Sequence, residues 1–127
     1  MVTGSLAWGV ALAGRAPVGL IMLAQAYGYA GQHDKVLPLL AEAESANIYM
    51  CPYETAAAYL SLGDDAGKEK AVALLREAVL KRSNCLIFLR NDPRMQALRD
   101  DPQHAASYAA LLKQVGLDDA ALRSYPR

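Results

Sequence analysis

The stretch Tyr53–Ser83, YETAAAYLSLGDDAGKEKAVALLREAVLKRS, decides the fold. It divides at Gly63. Before the glycine, Ala56, Ala57 and Tyr59 lie on a helical stripe. After it, Ala71, Leu74, Leu75, Ala78 and Val79 recur at the three- and four-residue spacing of an amphipathic helix. Lys81 and Arg82 close this second helix and suit its negative pole. The Asp64–Lys68 segment reads as a turn between the two. The stretch is therefore a helical hairpin.

The same pattern occurs one unit earlier. Val18–Ala30 carries Leu20, Leu23, Ala24 and Tyr27 at helical spacing and stops at Gly31. Asp34 is a candidate N-cap for a helix reaching about Ser45, with Val36, Leu39, Leu40 and Ala43 inward and Pro38 in its first turn. Tyr27 and Tyr59 are 32 residues apart, as are Gly31 and Gly63. Val36 and Ala71, Leu40 and Leu75, and Ala43 and Ala78 are each 35 apart, because the second turn is three residues longer. A period of about 34 residues with two helices per unit is the mark of a helical solenoid.

The rest of the chain extends this array. Residues 1–14 fit one short helix, a half repeat preceding repeats at 18–46 and 52–83. Residues 84–116 form a C-terminal cap. Within it Ser83 or Asn84 can cap a short helix over Cys85–Arg90. Asp92-Pro93 and Asp101-Pro102 each resemble an N-cap followed by first-turn proline, implying a brief helix near 93–99 and a longer one over 102–115. Tyr108, Leu111, Leu112 and Val115 stripe the longer helix and Gly116 ends it. Residues 117–127 read as a flexible polar tail. No strand-like alternation appears, so the class is all-α.

Composition agrees. The 127 residues suffice for one compact domain, and 54 % are apolar, with a single Phe and a single Trp. Ala and Leu dominate, which suits close-packed helices. The 13 basic and 13 acidic residues cancel, leaving no global field to attract nucleic acid or an anionic membrane. The apolar run SLAWGVALAG at Ser5–Gly14 lacks a preceding Lys or Arg and is too short to span a bilayer, so neither a signal peptide nor a membrane segment is expected. Cys51 and Cys85 make no disulfide framework and read as reduced thiols, which points to the cytoplasm. They precede successive helices, so they can lie close together.

The repeated residues carry a family resemblance. Leu23-Ala24, Tyr27, Gly31, Val36, Leu40 and Ala43, followed by Ala56, Tyr59, Gly63, Ala71, Leu75 and Ala78, resemble the tetratricopeptide repeat. The tryptophan of that signature is missing from both units. Ile48 and Ser83 stand where its proline would follow the second helix. The segment LIFLRNDPRMQALRDDP resembles the cap on such arrays in bacterial multidomain regulators, where they follow winged-helix DNA-binding, cyclase or kinase domains. The resemblance implies a right-handed antiparallel helical-hairpin solenoid. It also implies a non-enzymatic protein–protein interaction module, a scaffold without cofactors. The first helix of each pair then lines a concave groove, giving Val18, Ile21, Gln25 and Tyr29 from one and Met50, Tyr53, Ala57 and Leu60 from the next. That apolar lining suits a peptide, a partner helix or a second copy.

No catalytic or metal-binding pattern competes with this reading. His33 and His104 share no ligand spacing with other donors and read as solvent-facing. Phosphate loops, HExxH and GxSxG are absent. Lys81, Arg82, Arg90, Arg94 and Arg99 form a candidate basic patch, but they lack the interleaved aromatics that nucleic acid would need. The alternative function is binding of a small molecule between helices. Leu6, Trp8 and Val10 lack a covering unit and predict a homodimer through the N-terminal helix.

Overall fold

A computed structural model describes residues 16–48 and 50–124, and every regular element among them is helical. The expected half repeat over 1–14 and its dimer contacts Leu6, Trp8 and Val10 lie outside the described residues. Helix α1 (Pro17–Tyr29) is followed by a 3-10 turn (His33–Lys35) that runs into α2 (Val36–Ser45). Helix α3 (Pro52–Leu60) and α4 (Asp65–Leu80) form a second hairpin. Two 3-10 turns (Asn84–Phe88 and Pro93–Met95) and α5 (Gln96–Arg99) lead to α6 (Ala105–Gln114) and α7 (Asp119–Arg123). Helix α1 packs on α2, α3 on α4, and α1 on α3, while α4 receives α6.

The second hairpin matches the first at several positions. Gly31 and Gly63 both take positive φ, +83° and +73°, which lets each chain reverse without a Cβ clash. Asn47 and Arg82, 35 residues apart, both take φ 52° where the second helix of each hairpin has ended. Lys35 lies 4.8 Å from the centre of the Tyr27 ring and Lys70 lies 5.9 Å from that of Tyr59, so even this cation–π pair is duplicated. Val36, Leu40 and Ala43 are buried, as are Ala71, Leu75 and Ala78. The sequence periodicity thus marked the inward face of both second helices.

The three inserted residues do not make a longer turn. Asp64 caps α4 by accepting from Gly67 N at 2.7 Å, so the expected Asp64–Lys68 turn is the first turn of the helix. The physical reason is that cap together with a run of good helix formers behind it. Asp34 makes no side-chain cap and sits within the 3-10 turn.

Two apolar clusters meet at α3. One joins α1 and α2 through Leu20, Ile21, Ala24, Val36 and Leu40 with Ala58. The larger joins α3, α4 and the C-terminal segment through Tyr53, Leu75, Leu89, Met95, Leu98 and Tyr108. Tyr59 packs against both. Contact between the hairpins is close at Gly28, where a Cβ would fall 1.9 Å from Ser61 Oγ. Only glycine permits α1 and the end of α3 to approach this far.

The C-terminal segment differs from expectation in its helix lengths. Residues 84–88 and 93–95 are 3-10 turns, and the 102–115 helix begins only at Ala105, after a turn in which Asp101 Oδ1 accepts from Gln103 N at 2.8 Å. Residues 117–124 are not a loose tail. Leu117 packs on the larger cluster, and Arg90 donates to its carbonyl at 2.9 Å and also to Asp119.

Candidate functional site

The groove expected from the two first helices is largely closed. Ile21, Tyr53, Ala57 and Leu60 are buried and Gln25 nearly so; Met50 is half-buried. These six offer no open apolar floor, because the 93–99 segment and the neighbouring hairpin pack over them. Val18 and Tyr29 remain outside, each 56 % exposed, and Met22 beside them is 38 % exposed. Positions 18, 22, 25 and 29 lie on one face of α1, so the exposed apolar stripe is interrupted only by Gln25.

The interruption at Gln25 has a structural reason. Arg94, from the C-terminal segment, reaches across α3 to α1. Its guanidinium donates to Glu54 Oε2 at 2.6 Å, to Asp92 Oδ2 at 2.7 Å and to Gln25 Oε1 at 3.1 Å. Gln25 in turn donates to the Glu54 carboxylate at 3.0 Å and to its backbone carbonyl at 2.9 Å. Tyr53 OH donates to Asp92 Oδ2 at 2.6 Å, and the Arg94 guanidinium lies 5.6 Å from the centre of the Tyr53 ring. Three elements distant in sequence are therefore joined by one hydrogen-bonded ionic cluster. Its geometry begins locally: Asp92 caps the 3-10 turn at Pro93 by accepting from Arg94 N at 2.9 Å, which fixes where the Arg94 side chain starts.

The cluster sets the charges of its members. Burial by itself would raise the Asp92 carboxyl, but hydrogen bonds from Arg94 and Tyr53 outweigh it and hold the group below the usual range. Burial, then the bond to Asp92, pushes the Tyr53 phenol well up. Its bonds to Asp92 and Glu54 keep Arg94 firmly protonated. Partial desolvation raises the half-exposed Tyr29 phenol, and the charge of Arg94 opposes the rise. On the other side stand Ile87 and Phe88, 68 % and 61 % exposed, in a shallow depression with Glu54, Asn91, Asp92 and Arg94. Asp92 and Pro93 were legible in the sequence as a helix cap. The convergence of Gln25, Glu54 and Arg94 was not, since no spacing rule links positions so far apart.

The five residues of the candidate basic patch do not make one cationic surface. Lys81 pairs with Glu77 at 2.7 Å, one helical turn back. Arg90 binds Leu117 and Asp119. Arg94 belongs to the cluster. Arg99 donates to the backbone carbonyl of Asp92 at 2.8 Å, and its guanidinium lies 5.7 Å from the centre of the Tyr108 ring. Arg82 is exposed at a left-handed turn. Fixed inside the fold, three of these arginines organise the cap rather than face a polyanion.

Cys51 and Cys85 are joined as a disulfide, with Cα atoms 7.0 Å apart, in place of the two reduced thiols expected. Cys51 is the N-cap residue of α3 and Cys85 lies in the first 3-10 turn of the cap. Ser83 Oγ sits 3.1 Å from the Cys51 sulfur. A separate cleft of about 300 Å³ opens between the hairpins, with Ile21, Leu40, Met50 and Leu74 in its lining and Glu44 and Glu77 among its polar groups.

Among the described residues no group of three or more His, Cys, Asp or Glu side chains is placed to hold a metal ion. His33 is exposed as expected, but His104 is buried, its Nδ1 3.2 Å from Asp101 Oδ2. Lys68 donates to the same Asp101 carboxylate at 2.9 Å, fastening α4 to the start of α6. No helix among the described residues is long and apolar enough to cross a membrane. The site and fold define an all-α helical protein. Comparison with protein-family models, with curated proteins and with solved structures finds no match.

Proposed function

We propose that the chain is a tetratricopeptide-like interaction module, a scaffold that acts without catalysis. Its docking surface is the outer face of α1 together with Ile87 and Phe88 of the cap. The observation that carries this reading is the exposure of five large apolar side chains, Val18, Met22, Tyr29, Ile87 and Phe88, beside one polar cluster. A peptide or partner helix with apolar side chains would bury them, and the Glu54–Arg94 pair would fix its register. The duplicated hairpin, with glycine, lysine–tyrosine and left-handed positions in register, supports the repeat assignment. Peptide-library selection against the intact chain tests the reading. Enriched peptides should be apolar, and Tyr29→Ala and Phe88→Ala should each weaken them at least about tenfold, roughly 1.4 kcal/mol. Peptides indifferent to both substitutions would place the binding surface elsewhere.

The cleft between the hairpins favours a second reading, a small-molecule site. A metabolite that raises the melting temperature, and loses this effect in Leu74→Trp, would support it. Self-association through Leu6, Trp8 and Val10 is part of the first proposal. Light scattering at high concentration should give twice the chain mass.

A further inference from the structure

We infer that Cys51 and Cys85 are a reversible redox clamp on the C-terminal cap, exchanging with low-molecular-weight thiols and disulfides. The inference does not depend on what the docking surface binds.

Three observations carry it. The first is placement. Cys51 ends the link between the hairpins, one residue before α3, and Cys85 opens the cap, with their sulfurs in contact. The bond therefore ties the start of the cap to the helix that supplies Tyr53 and Glu54 to the ionic cluster.

The second is access. Both cysteines are half-buried rather than enclosed in the core, and the Cys85 sulfur borders exposed Asn84. A small thiol can reach them. Cys51 also sits at the positive end of the nine-residue helix α3, and the Ser83 hydroxyl stands 3.1 Å from its sulfur, both of which favour a thiolate there.

The third is that the cap beyond its first turn has anchors of its own. Leu89, Met95 and Leu98 are buried in the larger cluster, and Arg94 and Arg99 hold the segment by several hydrogen bonds. Breaking the sulfur–sulfur bond would leave the cap docked while releasing its first turn to open.

The chemistry balances without any bound cofactor. One protein thiol loses its proton to solvent, and the thiolate attacks a small disulfide RSSR. A mixed disulfide forms and RS⁻ leaves. The second protein thiol, likewise deprotonated, attacks the protein sulfur of that mixed disulfide. The Cys51–Cys85 bond forms and a second RS⁻ leaves. Two electrons pass from the protein to RSSR. A small dithiol reverses both steps.

The intact chain is equilibrated with oxidised glutathione or with reduced dithiothreitol, quenched with iodoacetamide and weighed by mass spectrometry. The oxidised protein should carry no label, yield a peptide cross-linked between Cys51 and Cys85, and do so independently of protein concentration. The reduced protein should carry two labels. Two labels after oxidation, or cross-links only between chains, would overturn the pairing. Hydrogen exchange on the same two samples tests the clamp without any variant. Amides of residues 86–88 should exchange at least about tenfold faster in the reduced protein, with those of α1 and α2 unchanged. Equal rates at 86–88 in both forms would overturn the clamp.

Discussion

At Leu75 the sequence pattern and the packing agree. It is buried against α3 and the cap, at the position matching Leu40 one unit earlier. Leu75→Ala should cost about 2–5 kcal/mol, read as a shift in urea midpoint. A loss of only a few tenths would mean the hairpins are registered differently. Gly28 is a different kind of residue, because its identity matters for what it lacks. Gly28→Ala should cost about 1–3 kcal/mol, since the added methyl meets Ser61 and α1 must move off α3. Its role was invisible in the sequence. A glycine inside a helix reads as a local weakness until the neighbour that fills the gap is known.

The C-terminal elements depend on charges more than on helix propensity. Their 3-10 turns and the four-residue α5 are too short to stand alone. What holds them is burial of Leu89, Met95 and Leu98 and the bonds made by Asp92, Arg94, Arg99 and Asp101. Hydrogen bonds from Lys68 and from Gln103 N lower the Asp101 carboxyl to about 2, Arg90 lowers Asp119, and Asp92 is also lowered. A carboxyl depressed by folding stabilises the fold above its unfolded value and loses that contribution as pH falls through the folded one. The urea midpoint should therefore hold above pH 4 and decline between about pH 4 and 2. A flat profile there would mean these pairs add nothing. At the alkaline end the sign reverses. Burial pushes Tyr108 up to about 12 and raises Tyr53 further, so stability present below pH 10 should be lost above it.

Across the whole molecule the two apolar clusters are unequal. The α1–α2 cluster is smaller and reaches the larger one through Ala58 and Tyr59, with the Arg94 cluster as a polar strap. Native-state hydrogen exchange should find α1 and α2 opening at lower free energy than α3, α4 and α6. Arg94→Ala should widen that difference. Equal protection throughout would mean that the strap and the Tyr59 bridge couple the halves fully.

The sequence by itself determined the local and periodic features. Helical spacing named the inward residues Val36, Leu40, Ala71, Leu75 and Tyr108. Gly31 and Gly63 marked where the chain reverses, and the offsets of 32 and 35 residues paired inward positions of the two hairpins. These follow from short-range rules, in which spacing dictates which side chains share a face. Tertiary structure alone decided that the groove expected along the first helices is filled by the chain's own cap, because burial of Tyr53 depends on where residues 89–99 land. It alone brought Gln25, Glu54, Asp92 and Arg94 within hydrogen-bond distance, turned three arginines of a candidate basic patch into struts of the cap, and set Cys51 against Cys85. Such contacts join positions up to 69 residues apart, and no local periodicity encodes them.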